Sequence, residues 1–102
     1  MIKFSALYPN EEDATFDFAY YRSIHLPMTL SLLGDSVLRT ELDRGVSGAG
    51  GSPAPYIAAG HIYFESIESF RRAFLPHLAR FRNDMPNFTN VQPLIQVSEI
   101  SE

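Results

Sequence analysis

MIKFSALYPNEEDATFDFAYYRSIHLPMTLSLLG, residues 1–34, changes its hydrophobic period part-way along, and that change decides the fold. From Met1 to Tyr8 the side chains alternate, with Ile2, Phe4, Ala6 and Tyr8 on one side and Lys3, Ser5 and Leu7 on the other. A period of two is that of a half-buried strand. Pro9-Asn10 breaks it, and Asp13 or Thr15 is placed to cap the next segment. From Phe16 to Leu33 the apolar residues Phe16, Ala19, Tyr20, Leu26, Leu30 and Leu33 recur at helical spacing, and Gly34 ends the run as a C′ glycine does. Pro27 has no N–H to offer the Ser23 carbonyl, so the spacing predicts a kink or a broken turn there.

Working outward, Ser36 to Val46 reads as a second strand, with Leu38, Thr40 and Leu42 alternating against Arg39, Glu41 and Asp43. Residues 45–55 form a Gly/Ser/Ala/Pro loop, either a lid or a flexible excursion. Tyr56 to Glu65 is a third strand, with Tyr56, Ala58, Ile62 and Phe64 on one face and Ile57, Ala59, His61 and Tyr63 on the other. Ser66 caps a second helix that turns Phe70, Phe74, Leu75, Leu78 and Phe81 inward, and Pro76 interrupts it. Asp84 to Asn90 is a turn-rich exit, and Val91 to Ile100 is a last strand. The order is β-α-β, loop, β-α-β. It predicts a single α+β domain of the ferredoxin-like βαββαβ type: a four-stranded antiparallel sheet with two helices on one face. The other face carries apolar and aromatic side chains whose burial calls for a second copy, hence a homodimer.

Composition bounds the function. A chain of 102 residues lies in the single-domain range, and 45% apolar residues with eight Phe and five Tyr suffice for a core. The net charge is −4 and the cations are scattered Arg, so neither nucleic acid nor an anionic membrane is an expected partner. There is no Cys, which excludes disulfides, zinc-thiolate sites and a thiol nucleophile. Without a basic segment leading into a long apolar run, the chain reads as cytoplasmic.

His25 is the first candidate for chemistry. It sits beside the Pro27 irregularity, and imidazole exchanges protons near neutrality. Its plainer role is to hydrogen-bond a carbonyl freed by the proline. Tyr21, four residues earlier, falls on nearly the same helix face, where a phenol can orient a substrate oxygen or mark the edge of the core; Tyr20 reads as core. His61 and Tyr63 share a strand face and are either polar groups on an apolar cavity wall or interface residues. Asp84 and Asn87 are turn formers by default, and Asp84 as a functional residue would orient a histidine and raise its basicity. The three histidines lie too far apart in sequence to argue for a metal, and no dinucleotide, phosphate-loop, HExxH or GxSxG motif is present.

Three pieces carry a resemblance: ALYPNEEDATFDFAYYRSIHLP (residues 6–27), HIYFESIESFRRAF (residues 61–74) and NDMPNFTNVQP (residues 83–93). The chain resembles the EthD family of the dimeric α+β barrel superfamily. The resemblance implies a homodimer with sheets packed face to face and a pocket between sheet and helices in each subunit. It further implies a part in degrading or tailoring small hydrophobic compounds, as a lyase, cyclase or isomerase or in support of an oxygenase, or as a non-catalytic ligand-binding protein. Neither metal nor organic cofactor is implied. On this pattern the histidine of the HLP piece is His25, and the late Asp and Asn are Asp84 and Asn87. The 45–55 loop is longer than the family pattern and bears on access to the pocket.

Overall fold

The computed structural model describes residues 1–101. Strand β1 (Ile2–Pro9) is followed by a composite helix: α1 (Phe18–Tyr20), a π-helical turn (Tyr21–His25) and α2 (Leu26–Leu33). Then come β2 (Val37–Arg44), β3 (Tyr56–Phe64), α3 (Ile67–Phe74), a 3-10 turn (Leu75–His77), α4 (Leu78–Asp84) and β4 (Leu94–Glu99). All strand pairs are antiparallel and the sheet order is β2-β3-β1-β4, the ferredoxin-like arrangement.

The alternation in β1 and β3 places the core. Ile2, Phe4, Ala6 and Tyr8 join Ala58, Ile62 and Phe64 beneath Phe70 and Phe74 of α3 and Phe18, Tyr21 and Leu33 of the first helical segment. Phe4 and Phe74 lie 4.5 Å apart between ring centroids, and Phe64 is wholly buried against Phe70. Burying such a ring contributes about 1.5–3 kcal/mol, so this aromatic layer is the main tie between helices and sheet.

Local chemistry shifts several boundaries. The first helix is capped by Asp17, whose side chain accepts from the Tyr20 amide, and not by Asp13 or Thr15. Asp13 sits in a turn at φ 66°, and the segment after it is stitched to the late turn: Phe16 bridges Thr89, the Thr15 amide donates to Asn90 Oδ1, and the Asp17 amide donates to the Phe88 carbonyl. Phe16 is therefore outside the helix. Gly34 closes α2 at φ 64°, a conformation that favours glycine. Ser66 caps α3 as expected, accepting from the Ser69 amide, and Pro76 begins a new turn. β4 starts at Leu94, after Pro93, which has no amide for the ladder.

Pro27 does not break the helix. The backbone widens one turn upstream, where the Leu26 amide donates to Tyr21 five residues back, and Thr29 Oγ1 caps the His25 carbonyl at 2.9 Å. Such single π-turns occur often at functional sites.

The sheet face away from the helices carries Leu7, Ala59, Leu94 and Tyr63, apolar and aromatic as expected, and beside them a polar lattice. Ser5 donates to or accepts from His61 Nδ1 at 2.8 Å, and His61 Nε2 lies 3.0 Å from Asp43 Oδ2. The Tyr63 hydroxyl donates to Glu41 at 2.6 Å, and the Arg39 guanidinium stacks 4.4 Å from the Tyr63 ring. The register explains this lattice: Ser5, His61 and Glu41 share one row across three strands, and Lys3, Tyr63 and Arg39 the next.

Candidate active site

A cavity of about 380 Å³ opens between the helix-facing side of β1 and the helices α3 and α4. Phe4, Phe70, Phe74, Phe81 and Ile62 make its walls apolar, and Tyr21, His25 and Thr29 bring polar groups to it. The π-turn sets these groups. It carries Tyr21 and His25 inward, with their rings 5.0 Å apart, and Phe88 packs against both, 4.6 Å from the imidazole and 5.2 Å from the Tyr21 ring. Gly60 leaves space for the phenol: a Cβ there would stand 2.6 Å from the Tyr21 hydroxyl.

Behind His25, outside the cavity, stands Asp84. Its Oδ2 lies 2.8 Å from His25 Nδ1, while its Oδ1 accepts from the Tyr20 hydroxyl at 2.7 Å and from the Asn87 amide at 3.0 Å. Burial presses the Asp84 carboxyl up, but the hydrogen bonds from Asn87, Tyr20 and His25 outweigh it and hold the group below its ordinary value. An ionised carboxylate only accepts, so His25 Nδ1 carries the proton in this bond. Burial pulls the His25 pKa down, against the opposing pull of Asp84, and the imidazole is neutral at neutral pH. Its Nε2 then holds a lone pair and has no hydrogen-bond partner among the described residues. The pair can therefore take a proton at Nε2 and stabilise the cation by the carboxylate behind it. Burial pushes the Tyr21 phenol up to about 12, so it serves as a neutral donor.

The expected site residues divide between the two faces of the sheet. His25, Tyr21, Asp84 and Asn87 come together. His61 and Tyr63 stand on the opposite face, in the polar lattice, and line no part of this cavity. The order Ser5–His61–Asp43 resembles a nucleophile relay, but Ser5 lies in the middle of a strand paired on both sides, and its neighbouring amides are spent in ladders rather than free to stabilise an oxyanion. Tyr20, read as core from sequence, packs against the core and also holds Asp84 through its hydroxyl. The 45–55 loop contributes nothing to the cavity lining. Among the described residues no cluster of three His, Cys, Asp or Glu side chains could hold a metal ion, and no helix is long and apolar enough to cross a membrane.

The family model described as the EthD domain matches residues 9–92, a span that includes every residue of the His25 cluster. The chain belongs to the EthD family. Among solved structures, an EthD-like protein from Ralstonia eutropha JMP134 is similar at 35% identity, covering 96% of this chain and 89% of its own, with a TM-score of 0.88. An ethyl tert-butyl ether D (EthD) family protein from Bacillus halodurans C-125 shares the fold at 18% identity, with 99% of each chain covered and a TM-score of 0.68. HapK from Hahella chejuensis shares it at 16% identity, covering 99% of this chain and 93% of its own, with a TM-score of 0.60. No curated protein matches significantly. In this EthD domain the HLP histidine and the late Asp and Asn, far apart in the chain, form one hydrogen-bonded unit.

Proposed function

We propose that this EthD domain binds a small hydrophobic compound, aromatic or carbonyl-bearing, in the sheet–helix cavity and transforms it by general acid–base catalysis at His25. The observation that carries the reading is a neutral imidazole backed by a carboxylate, with its second nitrogen unpartnered, on the wall of a largely apolar hollow. Asp84 fixes the tautomer and offsets the charge formed on protonation. Asn87 and Tyr20 hold Asp84, and the Tyr21 hydroxyl orients a substrate oxygen. General acid–base help of this kind is worth about 10²–10⁴ in rate, and exclusion of water by the aromatic walls strengthens it. The proposed reaction is a proton transfer that leads to cyclisation, isomerisation or elimination, with no metal or organic cofactor taking part.

The proposed assembly is a cytoplasmic homodimer in which a second copy covers the lattice of Ser5, His61, Asp43, Tyr63 and Glu41. Ser5 and Tyr63 are already buried and paired within one chain, so a partner can cover them without orphaning a donor. A non-catalytic ligand carrier is the second reading. The largely apolar lining favours it, and the His25–Asp84 pair speaks against it.

Proton abstraction is read directly with 2-tetralone, an aromatic ketone, in D₂O. The protein is expected to accelerate deuterium incorporation next to the carbonyl, and His25→Gln to remove that acceleration while the fold persists. Exchange no faster than in buffer, or undiminished in the folded variant, contradicts catalysis at His25.

A further inference from the structure

We infer that the ligand of this cavity is an aromatic anion whose charge sits at the rim on Arg82, with its uncharged, reacting end directed to His25. This inference rests on the His25 cavity being the binding site. Arg82 is the single side chain of fixed charge in the lining. It is exposed, and among the described residues it takes part in no ion pair and no side-chain hydrogen bond. Residues 69–83, which build this side of the cavity, contain Arg71, Arg72, Arg80 and Arg82 and no acidic residue, in a chain whose net charge is −4. An unpaired guanidinium at the rim of a cavity in an acidic protein attracts anions and orients them.

The rest of the rim has a different chemistry. Leu75 and Ile95 line the cavity and remain half exposed, so an aromatic body is covered on both sides while its charged end meets the guanidinium. The inner end repels an anion, because the Asp84 carboxylate stands 2.8 Å behind the His25 ring. A ligand with one charged end therefore enters in one sense only, and that sense presents its neutral end to Nε2. Arg82 is a positioning and specificity residue in this account and takes no part in the proton transfer.

Two dyes with the same skeleton test it: 8-anilinonaphthalene-1-sulfonate, which carries an anion, and N-phenyl-1-naphthylamine, which does not. Each is titrated by fluorescence onto the wild-type protein, Arg82→Gln and Arg72→Gln, with the His25 ring resonances followed to locate binding. The ratio of sulfonate Kd to neutral Kd is expected to rise about 5–10-fold in Arg82→Gln, by loss of sulfonate affinity alone. Arg72→Gln, which removes the same charge outside the lining, is expected to change the ratio less than 2-fold, as roughly befits a screened charge. A ratio unchanged in Arg82→Gln, or shifted equally by both variants, overturns the anion inference and leaves the cavity reading standing. If neither dye binds or moves the His25 resonances, both fall together.

Discussion

His25 Nδ1 and Asp84 Oδ2 lie 2.8 Å apart across 59 residues of chain, and the Tyr20 and Asn87 side chains hold the second oxygen of the same carboxylate. One carboxylate thus links the first helix, the end of α4 and the late turn. Its charge is felt on an imidazole that faces the cavity.

Asp84→Asn keeps an acceptor for Nδ1–H but removes the charge. The His25 pKa, already lowered by burial, is expected to fall further once the carboxylate that raises it is gone. Tetralone exchange is expected to drop by about 10²–10⁴. An NMR titration of the ring checks the direction; a His25 pKa that rises in this variant refutes the pairing.

Tyr20→Phe should act in the opposite sense on the same titration. Loss of one donor leaves Asp84 a stronger acceptor for His25, so the imidazole pKa is expected to rise, while exchange falls a few-fold because the carboxylate is less well held. A purely structural tyrosine would destabilise the protein without moving the His25 titration.

The link between Tyr20 and Asp84 also marks the limit of what residue spacing can show. The strands of the core are legible because burial on one face of β1 and β3 writes itself as alternation. In a regular α-helix, however, residues five apart point away from each other, so Tyr20 and His25 share no face. The π-turn over Tyr21–His25 closes that gap, and nothing in residue spacing specifies a π-turn beyond the presence of Pro27. Phe16 misleads for a related reason: its spacing suits a helix, but its pairing with Thr89 is a contact across the chain. The polar lattice depends on strand register, which sets His61 between Ser5 and Asp43 and which no single strand displays.

Acid should weaken the fold in two steps. His25 is held below its ordinary 6.5 and Asp84 below its ordinary 3.8, so the unfolded chain binds more protons than the folded one below each value. The stability from His25 is complete above pH 6.5 and is lost as pH falls toward its folded value; that from Asp84 is lost below pH 3.8. Melting temperature against pH is expected to show both declines in the wild-type protein and the upper one missing in His25→Gln. An unchanged upper decline would place its origin elsewhere.

Gly60→Ala is expected to destabilise the fold by about 1–3 kcal/mol, because its Cβ would meet the Tyr21 hydroxyl at 2.6 Å. Tyr21→Phe in the same chain leaves the ring carbon at 3.5 Å, an ordinary contact, and is expected to restore most of the loss. Denaturant unfolding of the two single variants and the double variant measures the coupling. Additive losses would show that the two residues do not meet.

Tyr63→Phe removes the bond to Glu41 on the open sheet face and touches nothing in the cavity. Binding of N-phenyl-1-naphthylamine is expected to remain within 2-fold of the wild type, as roughly suits a residue on the other face, while dissociation of the proposed dimer in sedimentation shifts to higher protein concentration. Loss of dye affinity with the assembly intact would return Tyr63 to the ligand site.

The protonation of the two His25 ring nitrogens, read by ¹⁵N NMR at about pH 7 with and without N-phenyl-1-naphthylamine, tests the proposed site most directly. The account predicts a protonated Nδ1, a bare Nε2, and an Nε2 resonance that moves as the dye fills the cavity. A protonated Nε2, or one indifferent to saturating dye, would contradict it.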